Sequence, residues 1–182
     1  MFRKLFIIFL CFLFISSPVF AQENSPQTPS QTVNYVLPFP GLLPGHPLYG
    51  LKVMRDKVYD FFLTDALKKA EFKLLMADKR VAMGQILHDM GQPDLAEETL
   101  SKALNYYRQV FGLLEKVPKV SGENRSLDTK TYTAGLKYQE ILNNLKENSD
   151  GVNREKYLNL ENHLVEIMAD NQINFNQLQD NN

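Results

Sequence analysis

Cysteine is almost missing from this 182-residue chain: Cys11 is the only one, and it sits inside an apolar run near the N-terminus. One thiol cannot make an internal disulfide or a cysteine-rich metal site, so stability must come from packing. Histidine is scarce as well. His46, His88 and His163 stand apart, and none has a second histidine or a cysteine at metal-ligand spacing. A zinc or related site needs several such ligands close together, so neither a metal nor any other cofactor is expected. The chain also lacks a glycine-rich phosphate loop and a strand–turn–helix nucleophile elbow. No catalytic residue is nominated, and the chain is expected not to be an enzyme. Blocks of like charge are absent too: 20 basic and 21 acidic residues are interspersed, which argues against nucleic acid as a partner.

What is present begins with the first 21 residues. Arg3 and Lys4 form a short basic start, Leu5 to Ile15 is unbroken apolar text, and Pro18 precedes Val19-Phe20-Ala21. This is the layout of a secretory signal peptide. It predicts cleavage near Ala21 and a mature chain that begins at Gln22 and works outside the cytoplasm, secreted, periplasmic or in the cell envelope. Cys11 would leave with the leader, as would Arg3 and Lys4, taking the net charge to about −3. A retained leader would instead be an N-terminal membrane anchor, although the run is short for a span of roughly 20 apolar residues. On this reading the membrane is a partner only if the leader is retained.

Gln22 to Leu43 reads as a flexible linker rich in Pro, Gln and Ser. Its polar first half cannot bury enough surface to order itself, and its second half, Tyr35 to Leu43, is expected to be extended, either laid on the domain or exposed. From residue 44 to 178 everything reads as helix, with no strand candidate of weight, and residues 179–182 form a disordered tail. The predicted fold is all-α: an antiparallel helical bundle of about five helices, made of two helical hairpins and a leading helix.

The first helix is predicted over Pro47–Leu63, with Leu48, Leu51, Met54, Val58 and Phe62 on one face. Thr64 is placed to cap the second, Asp65–Met90, which Gly91 ends. The third runs from Pro93 to Val117 with apolar positions alternating at four and three residues, the signal of helix-on-helix packing. A polar loop is expected over Pro118–Asp128. The fourth helix follows over Thr129–Glu147, and the fifth is capped by Asn153 and carries Tyr157, Leu160, Leu164, Met168, Phe175 and Leu178 on one face, fraying after Asn171. The second helix has two apolar faces. The small one holds Leu67, Ala70, Leu74, Ala77, Val81 and Gly84; the large one holds Phe72, Met76, Met83, Ile86, Leu87 and Met90. Such a helix belongs between neighbours, with the small face allowing a close approach and Lys73, Asp78 and Arg80 falling in the gaps between the faces.

The most specific text is Pro44-Gly45-His46-Pro47-Leu48-Tyr49-Gly50-Leu51-Lys52, followed by Lys69-Ala70-Glu71 and Ala77-Asp78-Lys79-Arg80-Val81. This text resembles the domain of unknown function 5667 family of exported bacterial helical domains. The likeness runs from about Leu43 to Val110 and, more loosely, over Lys137–Met168. It implies a helical fold and export, and it implies no reaction. Within it, Pro44, Gly45, Pro47, Leu48, Tyr49, Leu51, Lys52, Ala70, Glu71 and Arg80 are read as structural, with Leu48 and Tyr49 folding back onto the bundle. His46 stands where the family pattern has a serine-like cap, which predicts a weaker cap. Tyr49, Lys52 and Tyr59 are the candidate interaction residues, with Lys52 placed to cover the Tyr49 ring.

Met76, Met83 and Met90 repeat every seven residues beside His88, a pattern that could hold a soft metal. Seven helical residues rise about 10.5 Å, too far for one ion, so core packing against the third helix is the expectation. The functional expectation is an exported, non-enzymatic interaction or scaffold domain of the bacterial cell envelope with a protein or cell-wall partner. The alternative is a small-ligand or soft-metal carrier using the seam between the second and third helices.

Overall fold

A computed structural model describes residues 32–117 and 122–179, with side chains placed for residues 32–117 and 125–171. The expected leader, the polar half of the linker, the Phe175 and Leu178 side chains and the last three residues lie outside what is described. Among the described residues five helices follow one another: α1 (Tyr49–Phe62), α2 (Ala66–Asp89), α3 (Pro93–Leu114), α4 (Gly122–Glu147) and α5 (Gly151–Gln179). Among the described residues there is no strand, and the chain from Thr32 onward forms one compact unit. The all-α bundle of two hairpins and a leading helix is what the helical spacing predicts.

α2 packs most extensively on α3, and α4 on α5. The hairpins join through α3 against α5 and α2 against α4. Asp94 pairs with Lys156 near the starts of α3 and α5, and further along both helices Arg108 meets His163 at 2.6 Å. α3 and α5 therefore run in the same direction. The core sits between the hairpins: Leu74, Ala77 and Val81 of α2, Leu100, Leu104 and Tyr107 of α3, Tyr138, Ile141 and Leu142 of α4, and Leu160, Leu164 and Ile167 of α5. Gly84 realises the close approach expected of the small face, because a Cβ built there would lie 2.5 Å from Leu100 Cγ.

Several boundaries differ from the sequence reading, each for a local reason. The cap of α2 is Asp65, whose carboxylate accepts from Lys68 N at 2.8 Å. Thr64 lies one residue too early to fill the three-residue reach of a side-chain cap. α4 starts at Gly122, seven residues before the predicted Thr129. Leu127 is buried and extends the apolar stripe back. The threonines that made the stretch look loop-like return their hydroxyls to the helix, Thr129 to Arg125 O and Thr131 to Leu127 O, so their polarity is compatible with it. α5 begins at Gly151, ahead of the expected Asn153 cap, and its backbone stays helical to Gln179, past the polar turns expected to fray.

Candidate interaction site

α1 has no buried residue, and its orientation is the unusual feature of the fold. Its half-buried positions are Tyr49, Lys52, Val53, Asp56 and Asp60. They recur every three to four residues, so they form one stripe, and the stripe is mainly polar. The outward stripe is apolar: Leu48, Leu51, Met54, Val58, Phe61 and Phe62 are 52–79% exposed. The predicted apolar face of the first helix thus exists but points to solvent, and Leu48 does not fold back onto the bundle.

The inversion has a physical cause in the partners the polar stripe finds. Lys73 donates to Asp60 at 2.9 Å, with both groups largely shielded. Lys52 Nζ donates to the backbone carbonyls of Pro40 (2.9 Å) and Leu42 (3.2 Å) and lies 5.8 Å from the Tyr49 ring centroid. Burial pushes the Lys52 ammonium below its ordinary range, and Asp56 opposes the shift. Turning α1 round would carry Lys52 and Asp60 into solvent and leave Lys73 buried without its carboxylate, where an unpaired ion costs several kcal/mol. Tyr59 rests an edge on Phe72, with centroids 5.0 Å apart, and is more than half exposed. Ten residues separate it from Tyr49, about 15 Å along the helix. The structure therefore brings Tyr49 and Lys52 together at one end of α1 and leaves Tyr59 at the other.

The strap from residue 33 to 42 lies along the bundle with its alternate residues Tyr35 and Leu37 turned inward, while Val36 and Phe39 are almost fully exposed. Val33 N donates to Glu140 at 2.8 Å. Tyr35 Oη donates to Asp78 Oδ2 at 2.8 Å, and Tyr138 Oη donates to Oδ1 at 2.5 Å. Asp78, which the helical wheel left in a gap between faces, is buried. Burial pushes its carboxyl above the usual range, and the two tyrosine bonds only partly offset this. Burial and the adjacent carboxylate also push the Tyr35 and Tyr138 phenols up. Lys73 and Arg80, likewise expected in the gaps, are buried on the same helix. The Arg80 guanidinium lies 4.3 Å from the Tyr106 ring centroid and donates to Met76 O. Of the remaining motif residues, Ala70 is fully buried, Glu71 is exposed, and Gly45 has φ +94°. That φ makes it the turn glycine between Pro44 and Pro47. His46 Nδ1 accepts from Leu48 N at 3.1 Å, one position ahead of the helix, and α1 starts from Leu48 with no side-chain cap, the weaker cap expected where a serine-like residue is missing.

Lys52 is the fastener between strap and helix. Lys52→Met should raise the rate of limited proteolysis within residues 36–43 about tenfold, as expected from losing about 1.4 kcal/mol of local closing free energy. It should leave the unfolding midpoint nearly unchanged. An unchanged cleavage rate would show that the strap holds without it.

The seam between α2 and α3 is closed by the Gly84–Leu100 contact. Met76 and Met83 instead line a cavity of about 10 Å³ with Tyr49, Lys52, Val53 and Asp56 of α1, where the sequence reading had placed them against the third helix. That volume is at the threshold for one water. Met90 is exposed. His88 Nδ1 lies 2.9 Å from Tyr157 Oη, whose phenol burial pushes up to about 12. Among the described residues, no three His, Cys, Asp or Glu side chains are grouped to hold a metal ion.

The family described as domain of unknown function (DUF5667) matches residues 41–166, and the chain belongs to it. The match covers the turn of Pro44 to Pro47, all of α1 to α4 and most of α5. No curated protein and no solved structure matches the chain.

Proposed function

We propose that this family member is an exported, non-enzymatic interaction domain that serves as a scaffold in the bacterial cell envelope. The observation that carries the interaction reading is α1: its apolar stripe is turned away from the core between the hairpins, and such a patch on a folded chain marks a contact surface. The leader-like text of residues 1–21 supports the address. The α2–α3 seam, where a ligand carrier would have to work, is closed at the Gly84–Leu100 contact, so the scaffold reading is preferred. Tyr59, at the open end of the stripe, belongs to this surface. Lys52, engaged by two carbonyls, and Tyr49, beneath it, orient the helix.

Two measurements on the chain in its own host test this. N-terminal sequencing after fractionation should find a chain starting near Gln22 outside the cytoplasm. A photo-crosslinker at Met54 should attach to an envelope component in preference to one at Val165 on α5. Intact Met1 on a cytoplasmic chain, or turnover of a cell-wall substrate by the purified protein, would overturn the proposal.

A further inference from the structure

We infer that the outward stripe of α1 lies on an anionic lipid surface, with Phe61 and Phe62 entering the boundary between headgroups and acyl chains. The inference rests on the interaction reading above and names its partner. Three observations carry it.

The first is composition. Leu51, Met54, Val58, Phe61 and Phe62 form the stripe, with Tyr59 beside it, and all are exposed. A helix with large apolar side chains on one side and charge on the other settles in the plane of a bilayer interface.

The second is the sorting of charge around α1. Both of its acids, Asp56 and Asp60, are in the stripe turned toward the bundle, and Asp60 is bound by Lys73. Its outward charges are both basic: Arg55, 72% exposed though joined to Asp56 at 2.7 Å, and Lys57, also exposed. Lys68 follows at the start of α2, exposed as well. Asp65, also exposed, is the acid at this junction and is engaged in capping α2 through Lys68 N. An exposed apolar face with cations in excess along its border complements an anionic headgroup layer, where each lysine or arginine adds about 1 kcal/mol.

The third is shape. α1 packs on α2 through Tyr59 against Phe72 and Asp60 with Lys73, and its apolar stripe faces away from that contact. A bilayer needs no matching groove to receive such a face.

The chain contains no tryptophan, so one introduced at an exposed site is a clean reporter, and it reads the position of α1 whether or not the leader is attached. The full chain carrying Phe61→Trp is mixed with vesicles of phosphatidylglycerol and phosphatidylcholine in equal parts, some with brominated acyl chains. A second chain carrying Val165→Trp reports on α5. The expected result is a blue shift and several-fold stronger bromine quenching for Phe61→Trp than for Val165→Trp. Adding Leu51→Asp and Val58→Asp should abolish the difference, and adding Lys57→Glu should weaken the lipid titration about tenfold. Equal quenching at the two sites would overturn the inference while leaving export and a protein partner standing. So would a blue shift that grows with protein concentration in the absence of lipid, which would mark a second copy as the occupant. A chain retained in the cytoplasm with Met1 intact would overturn export while leaving the lipid result to stand or fall by the quenching alone.

Discussion

Gly135→Ala should destabilise the protein by about 2 kcal/mol, and Tyr107→Phe in the same chain should cancel most of that loss. An alanine in a helix interior normally gains about 1 kcal/mol over glycine, so the expected sign is opposite to the local propensity. The reason is the room available. A Cβ at Gly135 would stand 2.2 Å from Tyr107 Oη and 2.9 Å from Met168 Sδ. Met168 is long, unbranched and only partly buried, so it can move aside. Tyr107 cannot. It is fully buried, its ring meets Phe111 and Tyr138 edge-on at 5.1 and 5.2 Å, and its hydroxyl donates to Thr131 O at 3.0 Å. Overpacking against a fixed neighbour costs about 1–3 kcal/mol, and displacing the hydroxyl forfeits a buried hydrogen bond worth about 1 kcal/mol more. Tyr107→Phe deletes the clashing atom at the cost of that bond. Urea unfolding of the two single variants and the double should give a coupling of at least about 1 kcal/mol, the signature of residues in contact. Simple additivity would show that Gly135 is not held open by Tyr107.

How far such contacts can be read from sequence depends on how local their causes are. α3 was legible because its alternating spacing is a property of the helix alone, and the double-faced pattern of α2 correctly placed it between neighbours. The small face reached the close contact at Leu100. The start of α4 was not legible, since one buried leucine, Leu127, stands in otherwise polar text and only the completed core reveals its weight. α1 marks a sharper limit. Helical periodicity states which residues share a face, and it does so correctly for Leu51, Met54, Val58 and Phe62. It does not state where the face points. That is settled by Asp60 with Lys73 and by Lys52 with the carbonyls of Pro40 and Leu42, pairings between separate segments that no local pattern encodes. The candidate site shows the same division. Tyr49 and Lys52 could be paired from a spacing of three, but the outward direction of the apolar stripe could not be foreseen.

Asp78 lies wholly on the illegible side, because its partners Tyr35 and Tyr138 are 43 and 60 residues away in the chain. Asp78→Ala should lower stability by about 2–4 kcal/mol, the largest loss expected from a single polar substitution here. Two phenol hydroxyls would lose their acceptor in the interior, and each buried orphan costs about 1–3 kcal/mol. Asp78→Asn keeps one carbonyl oxygen and should lose less than half as much. The two variants also fix the pH dependence. Burial raises the folded-state pKa of Asp78 above its ordinary 3.8, more strongly than the tyrosine bonds lower it. The native state therefore holds this proton more tightly than the unfolded chain does. The stability Asp78 contributes is then fully present below about pH 3.8, falls as pH rises through the raised folded value, and is constant above it. Asparagine carries no such proton. The unfolding free energy of the native chain minus that of Asp78→Asn should accordingly decline with rising pH across this window and then level off, while every other carboxylate cancels in the difference. A difference that climbs with pH would mean that the two tyrosine bonds outweigh burial, and that the carboxylate at the centre of the strap contact is a stabilised anion.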